Sequence, residues 1–307
     1  MIFKHRFSPF FIAILFSLVV SCKEKENDTA GDPAQRNARL LFKFRFDSTQ
    51  VRLDNFGNPS SLPAGHGAQS PRFNKMSAHY IELSPSANTP LGAGKVLYKS
   101  YDTNAGGSQA ISFEFAKLAV QNEIFFSIPL DSIIGTYSYL RISLAYQNYD
   151  IDFRYTFSGT DYDFKATLAS FLGYHTYIKK YVIKDSTVTL NANKLQGYWG
   201  LEIHDPGLPF SLPQYVYTGQ APAGATTVPN PINSTSPIPA GSCVVTGAFS
   251  SPLTIAGNET KDIVITVSLS TNKSFEWIEN STDGFYEPAA GDTVVDMGIR
   301  GLIPIVN

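Results

Sequence analysis

Leu40–Asp47 reads LLFKFRFD, and its period of two decides the fold class of the chain. Leu40, Phe42, Phe44 and Phe46 share one face, while Lys43, Arg45 and Asp47 share the other, as in a half-buried β-strand. Similar stretches recur at short intervals on the C-terminal side. Strands are expected at Met76–Leu83, Lys95–Tyr98, Ala110–Phe115 and Ile124–Ile128, after a long Gly/Pro/Asn/Ser-rich loop over Asn55–Arg72. Gly135–Phe157 is long enough for two strands with a turn near Gln147-Asn148, and Ala166–Gly173 has modest helical character. Tyr177–Leu190 suggests two strands joined by a turn at Lys184–Ser186, followed by a strand at Tyr198–Ile203.

Asp205–Gly241 breaks this rhythm. Its density of prolines, from Pro206 to Pro239, opposes regular ladders, so it is expected as an inserted loop. Strands resume at Cys243–Phe249, Ile263–Ser268, Phe275–Ile278 and Val294–Ile305. Many short strands with no long helix and no fixed repeat imply an all-β fold, an antiparallel β-sandwich with long loops. The expected organisation is one β-sandwich domain over 39–307, with the Pro-rich insertion at about 205–241.

The N-terminal side has different chemistry. Lys4, His5 and Arg6 precede the short apolar run Phe10–Cys22, FFIAILFSLVVSC, which has the form of a secretory signal peptide over 1–21. Val19-Val20-Ser21-Cys22 resembles the bacterial lipobox, which implies cleavage before Cys22 and acylation of that cysteine. Several acyl chains on one residue anchor far more firmly than a single chain does. Lys23-Glu24-Lys25-Glu26 resembles the surface-export signal of Bacteroidota-type lipoproteins. The polar run to Asn37 lacks the apolar surface needed to fold, so 22–38 is expected to be a lipidated tether. The location implied is an outer-membrane lipoprotein, facing the periplasm or on the cell surface.

Composition narrows the partners. The chain has 307 residues, 43% hydrophobic and 16% charged, with a net charge of -2 that becomes two units more negative when Lys4 and Arg6 leave with the leader. Such a balance argues against nucleic acid, and the membrane is expected to be met through the lipid anchor. Of the two cysteines, Cys22 is assigned to lipid, so Cys243 in an apolar run is expected to be a small core residue.

Catalytic motifs are absent from the sequence: it has no GxSxG, no HExxH, no P-loop and no GxGxxG after a strand. His204-Asp205 is an adjacent pair without a third member, so an enzyme is not expected and an unrecognised hydrolase is a minor alternative. Glu279–Pro288, ENSTDGFYEP, partly follows a calcium loop. Glu279, Ser281 and Asp283 alternate, Gly284 sits sixth, Phe285 offers a carbonyl, and the acid missing at Ala290 has to be supplied by Glu287 or Asp292.

The order of LLFKFRFD, MSAHYIEL, GTYSYLRISLAY and EWIENSTDGFYEPAAGDTVVDMGIRGL resembles the MbnP-like domain, a methanobactin-associated copper-binding family. The resemblance implies a β-sandwich and a copper site. Imidazole or sulfur ligands suit copper, and His66, His79 and His204 are the candidates, with His175, Met76, Met297 and Cys243 as further donors. Neither Trp199 nor Trp277 has the histidine two residues away that the family's modified tryptophan has. The leading expectation is a non-enzymatic envelope protein that binds an extracellular ligand, a metal, a glycan or another envelope protein. Copper acquisition or storage is the alternative, with copper or calcium as the candidate cofactor.

Overall fold

The opening stretch forms strand β1 (Arg39–Asp47), with Leu40, Phe42 and Phe44 at 0% exposure on its inner face. The structure is a computed structural model and describes residues 38–204, 212, 214–221 and 242–307. The expected leader, the lipidated Cys22 and the tether to Asn37 lie outside the described residues, as does most of the Pro-rich stretch. Six strands follow β1 before the longest: β2 (His66–Gln69), β3 (Arg72–Ser84), β4 (Lys95–Lys99), β5 (Asp102–Thr103), β6 (Ala110–Ser112) and β7 (Ile124–Pro129). The longest is β8 (Gly135–Phe157), followed by β9 (Thr160–Phe171), β10 (His175–Val182), β11 (Thr187–Leu195), β12 (Tyr198–Ile203) and β13 (Val216–Gln220). The last five are β14 (Cys243–Ile255), β15 (Ile263–Ser270), β16 (Phe275–Ile278), β17 (Thr293–Met297) and β18 (Leu302–Val306). All of them fall within the compact unit Asn37–Asn307, which carries its own hydrophobic cores.

The strands make sheets ordered β18-β15-β1-β7, β11-β10-β6-β5 and β17-β16-β2, and a seven-stranded sheet β13-β12-β9-β8-β3-β4 with β14 also on β8. The fold is all-β, with sheets packed face to face as in a sandwich. Two pairs, β1 with β15 and β6 with β10, are parallel within an otherwise antiparallel arrangement.

Strand β8 is the spine. One edge pairs with β3 along much of its length, while the other carries β14 on its first half and β9 on its second. The change of partner falls at Ala145, whose carbonyl accepts from the backbone N–H groups of Leu172 and Gly173 at 2.8 and 3.1 Å. The first half packs against the β1 sheet through Leu140, Ile142, Leu144, Phe42 and Val267. The second half is covered on both faces. Tyr149, Ile151 and Leu168 meet Phe275 and Trp277 on one side, and Tyr146 and Phe171 meet Ile178 and Tyr181 on the other.

Bulges set which side chains face where. The β3–β8 ladder slips at Asn74, Ala145 and His79, each an extra residue on one strand. Phe73 touches both the first core and the Trp277 core, so these lie on one face of the sheet. Across Ala145 the inward residues of β8 pass from Leu140, Ile142 and Leu144 to Tyr149 and Ile151, a change of parity that one inserted residue produces.

Several expectations are corrected. Gly135–Phe157 is one strand of 23 residues, without a turn at Gln147-Asn148. Both residues are buried, and their amides satisfy carbonyls in the layers on either side. Gln147 donates to Met297 O, and Asn148 donates to Ile183 O at 2.9 Å. Ala166–Gly173 is mostly strand β9, buried on both faces and therefore without the alternation that marks a half-buried strand. The Asn55–Arg72 loop contains β2, and the Pro-rich stretch contains β13, which pairs with β12 from Glu202↔Val216 to Tyr198↔Gln220. Phe113–Phe115 turns as a 3-10 element in place of continuing β6.

Candidate functional site

A concave surface lies where β10 and β11 meet the turn after β6, a groove of about 590 Å³. Its floor is aromatic. Phe113 sits 4.8 Å from the ring of Tyr146 and 5.0 Å from that of Phe171, and Tyr181 packs beside them. Burial raises the phenols of Tyr146 and Tyr181 above their ordinary values, so both stay neutral and the floor carries no charge. Leu118 and Val182, at 41% and 43% exposure, form apolar walls open to solvent.

The rim is basic for a local structural reason. The β10–β11 ladder slips between Ile178 and Lys180, with Asn191 opposite in the left-handed region at φ 52°. The slip leaves Ile178 and Tyr181 both buried and the two lysines between them, Lys179 and Lys180, both exposed. Lys75, half-buried on β3, is the third lysine of the groove. Glu114 is the carboxylate of the lining and is taken by Lys179, at 2.6 Å. Lys75 and Lys180 form no ion pair among the described residues. Among the described residues no histidine, serine or cysteine lines the groove, which can bury an apolar group and face it with ammonium charge.

The expected copper ligands do not come together. His66, at the start of β2, places Nδ1 2.5 Å from Glu276, which also accepts from Arg52 and, at 2.9 Å, from Arg300. Asp296 bonds Arg300 at 2.8 Å, and burial followed by the nearby Glu276 charge raises its carboxyl well above the usual range. His79 is the extra residue of a β3 bulge, 1% exposed, and donates from Nε2 to Asp102 at 3.0 Å. Burial alone would raise the Asp102 carboxyl, but the bonds from His79 and Lys99 outweigh it and hold the group at about 2. His204 follows β12 and donates from Nε2 to the Thr167 hydroxyl at 2.9 Å, which in turn donates to Asp150 at 2.7 Å. Burial and the Lys184 charge hold its imidazole below the ordinary value.

Each of the three histidines therefore answers to its own neighbours. Among the described residues no group of three His, Cys, Asp or Glu side chains is placed to hold a metal ion, so the His66, His79 and His204 set does not assemble. The His204 arrangement also differs from a hydrolytic triad. Its hydroxyl lies between imidazole and carboxylate, and Thr167 is 1% exposed. Cys243 is a buried core residue at 2% exposure.

The Glu279–Glu287 loop uses its oxygens internally. Glu279 accepts from the Gly284 N–H at 3.2 Å, and Asp283 accepts from the Phe285 N–H at 3.0 Å and the Ser281 hydroxyl at 3.2 Å. Asp292 closes the loop by accepting from Asn280 and Glu287 N–H groups at 2.8 and 2.7 Å. Phe285 presents its ring to Arg154, 3.5 Å from the guanidinium carbon, and Arg154 also lies 3.8 Å from Asp283. Glu287 is buried, 8% exposed. Glu279, Ser281 and Asp283 thus bond within their own turn, and among the described residues no group of three acidic side chains is placed to hold a metal ion there.

The groove residues were not singled out from sequence. They come from five separate segments, and the one local signal is YIKKYV, in which paired lysines interrupt a strand's alternation. Comparisons with protein-family models, with curated proteins and with solved structures find no match to this chain.

Proposed function

We propose that this chain is a non-enzymatic binding protein of the cell envelope, anchored through a lipidated Cys22, which holds an extracellular ligand in the β10–β11 groove. The observation that carries this reading is the groove, whose 590 Å³ falls within the roughly 300–1,000 Å³ span of small-molecule sites and whose floor is apolar. The lipobox resemblance supports an outer-membrane location, facing the periplasm or the exterior. The separated histidines and the self-bonded Glu279–Glu287 loop weigh against copper or calcium as the cargo.

The test is a fragment screen by NMR on the chain beginning at Lys23, which retains the whole compact unit. Shifts should concentrate at Phe113, Leu118, Tyr181 and Val182, and the fragments should be recovered unchanged. Shifts confined to other surfaces, or turnover of a fragment, would overturn the reading.

A further inference from the structure

We infer that the β10–β11 groove takes a small anionic amphiphile, a carboxylate or sulfate on an apolar body, with Lys75 and Lys180 receiving the head. The inference rests on the reading of the groove as the ligand site and adds the ligand's chemical class.

An occupant acts first on the hydration of the lysines. An apolar body on the floor of Phe113, Tyr146 and Tyr181 displaces water from the groove. Lys75 is half-buried before any ligand arrives, and further loss of water penalises its ammonium unless an opposite charge comes with the occupant. Among the described residues no free carboxylate lines the groove. Glu114 is held by Lys179 at 2.6 Å, and both phenols on the floor stay neutral because burial raises them. The ligand must therefore bring its own anion.

The charge is also local. The whole chain carries a net charge of -2, yet among the described residues the groove lining has three lysines and one carboxylate. A neutral amphiphile gains the apolar contacts but desolvates Lys75 without compensation. A cationic one adds repulsion. The preference for an anion follows from this difference, and specificity against the cation comes from the same two ammonium groups.

The experiment compares decanoate with decyltrimethylammonium by calorimetry below their micelle concentrations, on the chain beginning at Lys23. The two share a tail and differ in head charge. Decanoate should bind at one site at least about tenfold more tightly, with NMR shifts at Leu118 and Val182. Lys75→Gln/Lys180→Gln should lower decanoate affinity by about tenfold and leave the melting temperature and the circular dichroism unchanged. Leu118→Asp, at an exposed wall position, should remove binding of both probes. Equal or tighter binding of the cation, or decanoate affinity indifferent to the double lysine substitution, overturns the anionic class while leaving the groove as a ligand site. Failure of both probes alongside an empty fragment screen overturns the groove reading itself.

Discussion

Arg141 and Glu82 face each other across neighbouring strands at 3.0 Å, with side chains 1% and 0% exposed. Glu82 also accepts from the Gly92 N–H at 2.8 Å and the Tyr80 hydroxyl at 3.1 Å. Arg141 spends its other nitrogen on the carbonyls of Ser86 and Ala87, at 3.2 and 3.0 Å. The pair thereby straps the β3–β4 connection over the outer face of the sheet, opposite the first core.

A single substitution here leaves a buried charge without its partner. Arg141→Met should destabilise the chain by about 3–5 kcal/mol, and the double change Arg141→Met/Glu82→Leu should recover most of that loss. Urea unfolding of the four species in a double-mutant cycle measures this. A double variant as unstable as the sum of the single ones would show that the two side chains act independently.

Asp102 ties a buried histidine to the fold and confers a pH dependence of definite sign. Its carboxyl sits at about 2, below the ordinary 3.8. A depressed folded-state value means that the stabilisation is fully present above 3.8 and is lost as pH falls towards 2. Asp102→Asn should lower stability by about 2 kcal/mol at pH 7 and flatten the acid limb between pH 4 and about 2. Thermal melts across that range check it, and an acid limb of unchanged slope would remove Asp102 from the account.

Gly67 is needed for the space it leaves. A Cβ there would lie 2.5 Å from Trp277 Nε1 and also against the Glu279 carboxylate, and Trp277 is 1% exposed with little room to move. Gly67→Ala should destabilise by about 1–3 kcal/mol through overpacking and shift tryptophan fluorescence to the red. An unchanged melting temperature would mean that the β2–β16 contact is looser than its geometry implies.

What the sequence made legible was the half-buried chemistry. β1 alternates cleanly because one face is wet, and the turn at Lys184–Ser186 sits where the three N–H groups of those residues bond Glu202, at 2.9, 3.0 and 3.0 Å. Where both faces are covered the alternation disappears. Gln147 and Asn148 resembled a turn because polar residues usually lie outside, whereas here they satisfy carbonyls of two flanking layers. The bulges at Asn74, His79 and Ala145 have no local signature, since each is defined by the partner strand. The groove was hidden for the same reason. Lys75 lies far in the chain from Lys180, and a ladder slip opposite Asn191 sets both Lys179 and Lys180 on the outside.

The position of β1 has a consequence for how the chain is made. It lies inside its sheet between β7 and β15, and the Arg39 N–H is bonded to Asp262, 223 residues later. The β7 side is available early, but the parallel side waits for nearly the whole polypeptide, and contacts so distant in sequence slow folding. Until Ile263–Ser270 arrives, the bonding edge of β1 that it will occupy stays open, a row of unpaired backbone groups next to a phenylalanine-rich face. A chain cut short before Ile263 keeps that edge open for good, and limited proteolysis should digest it faster than the whole chain.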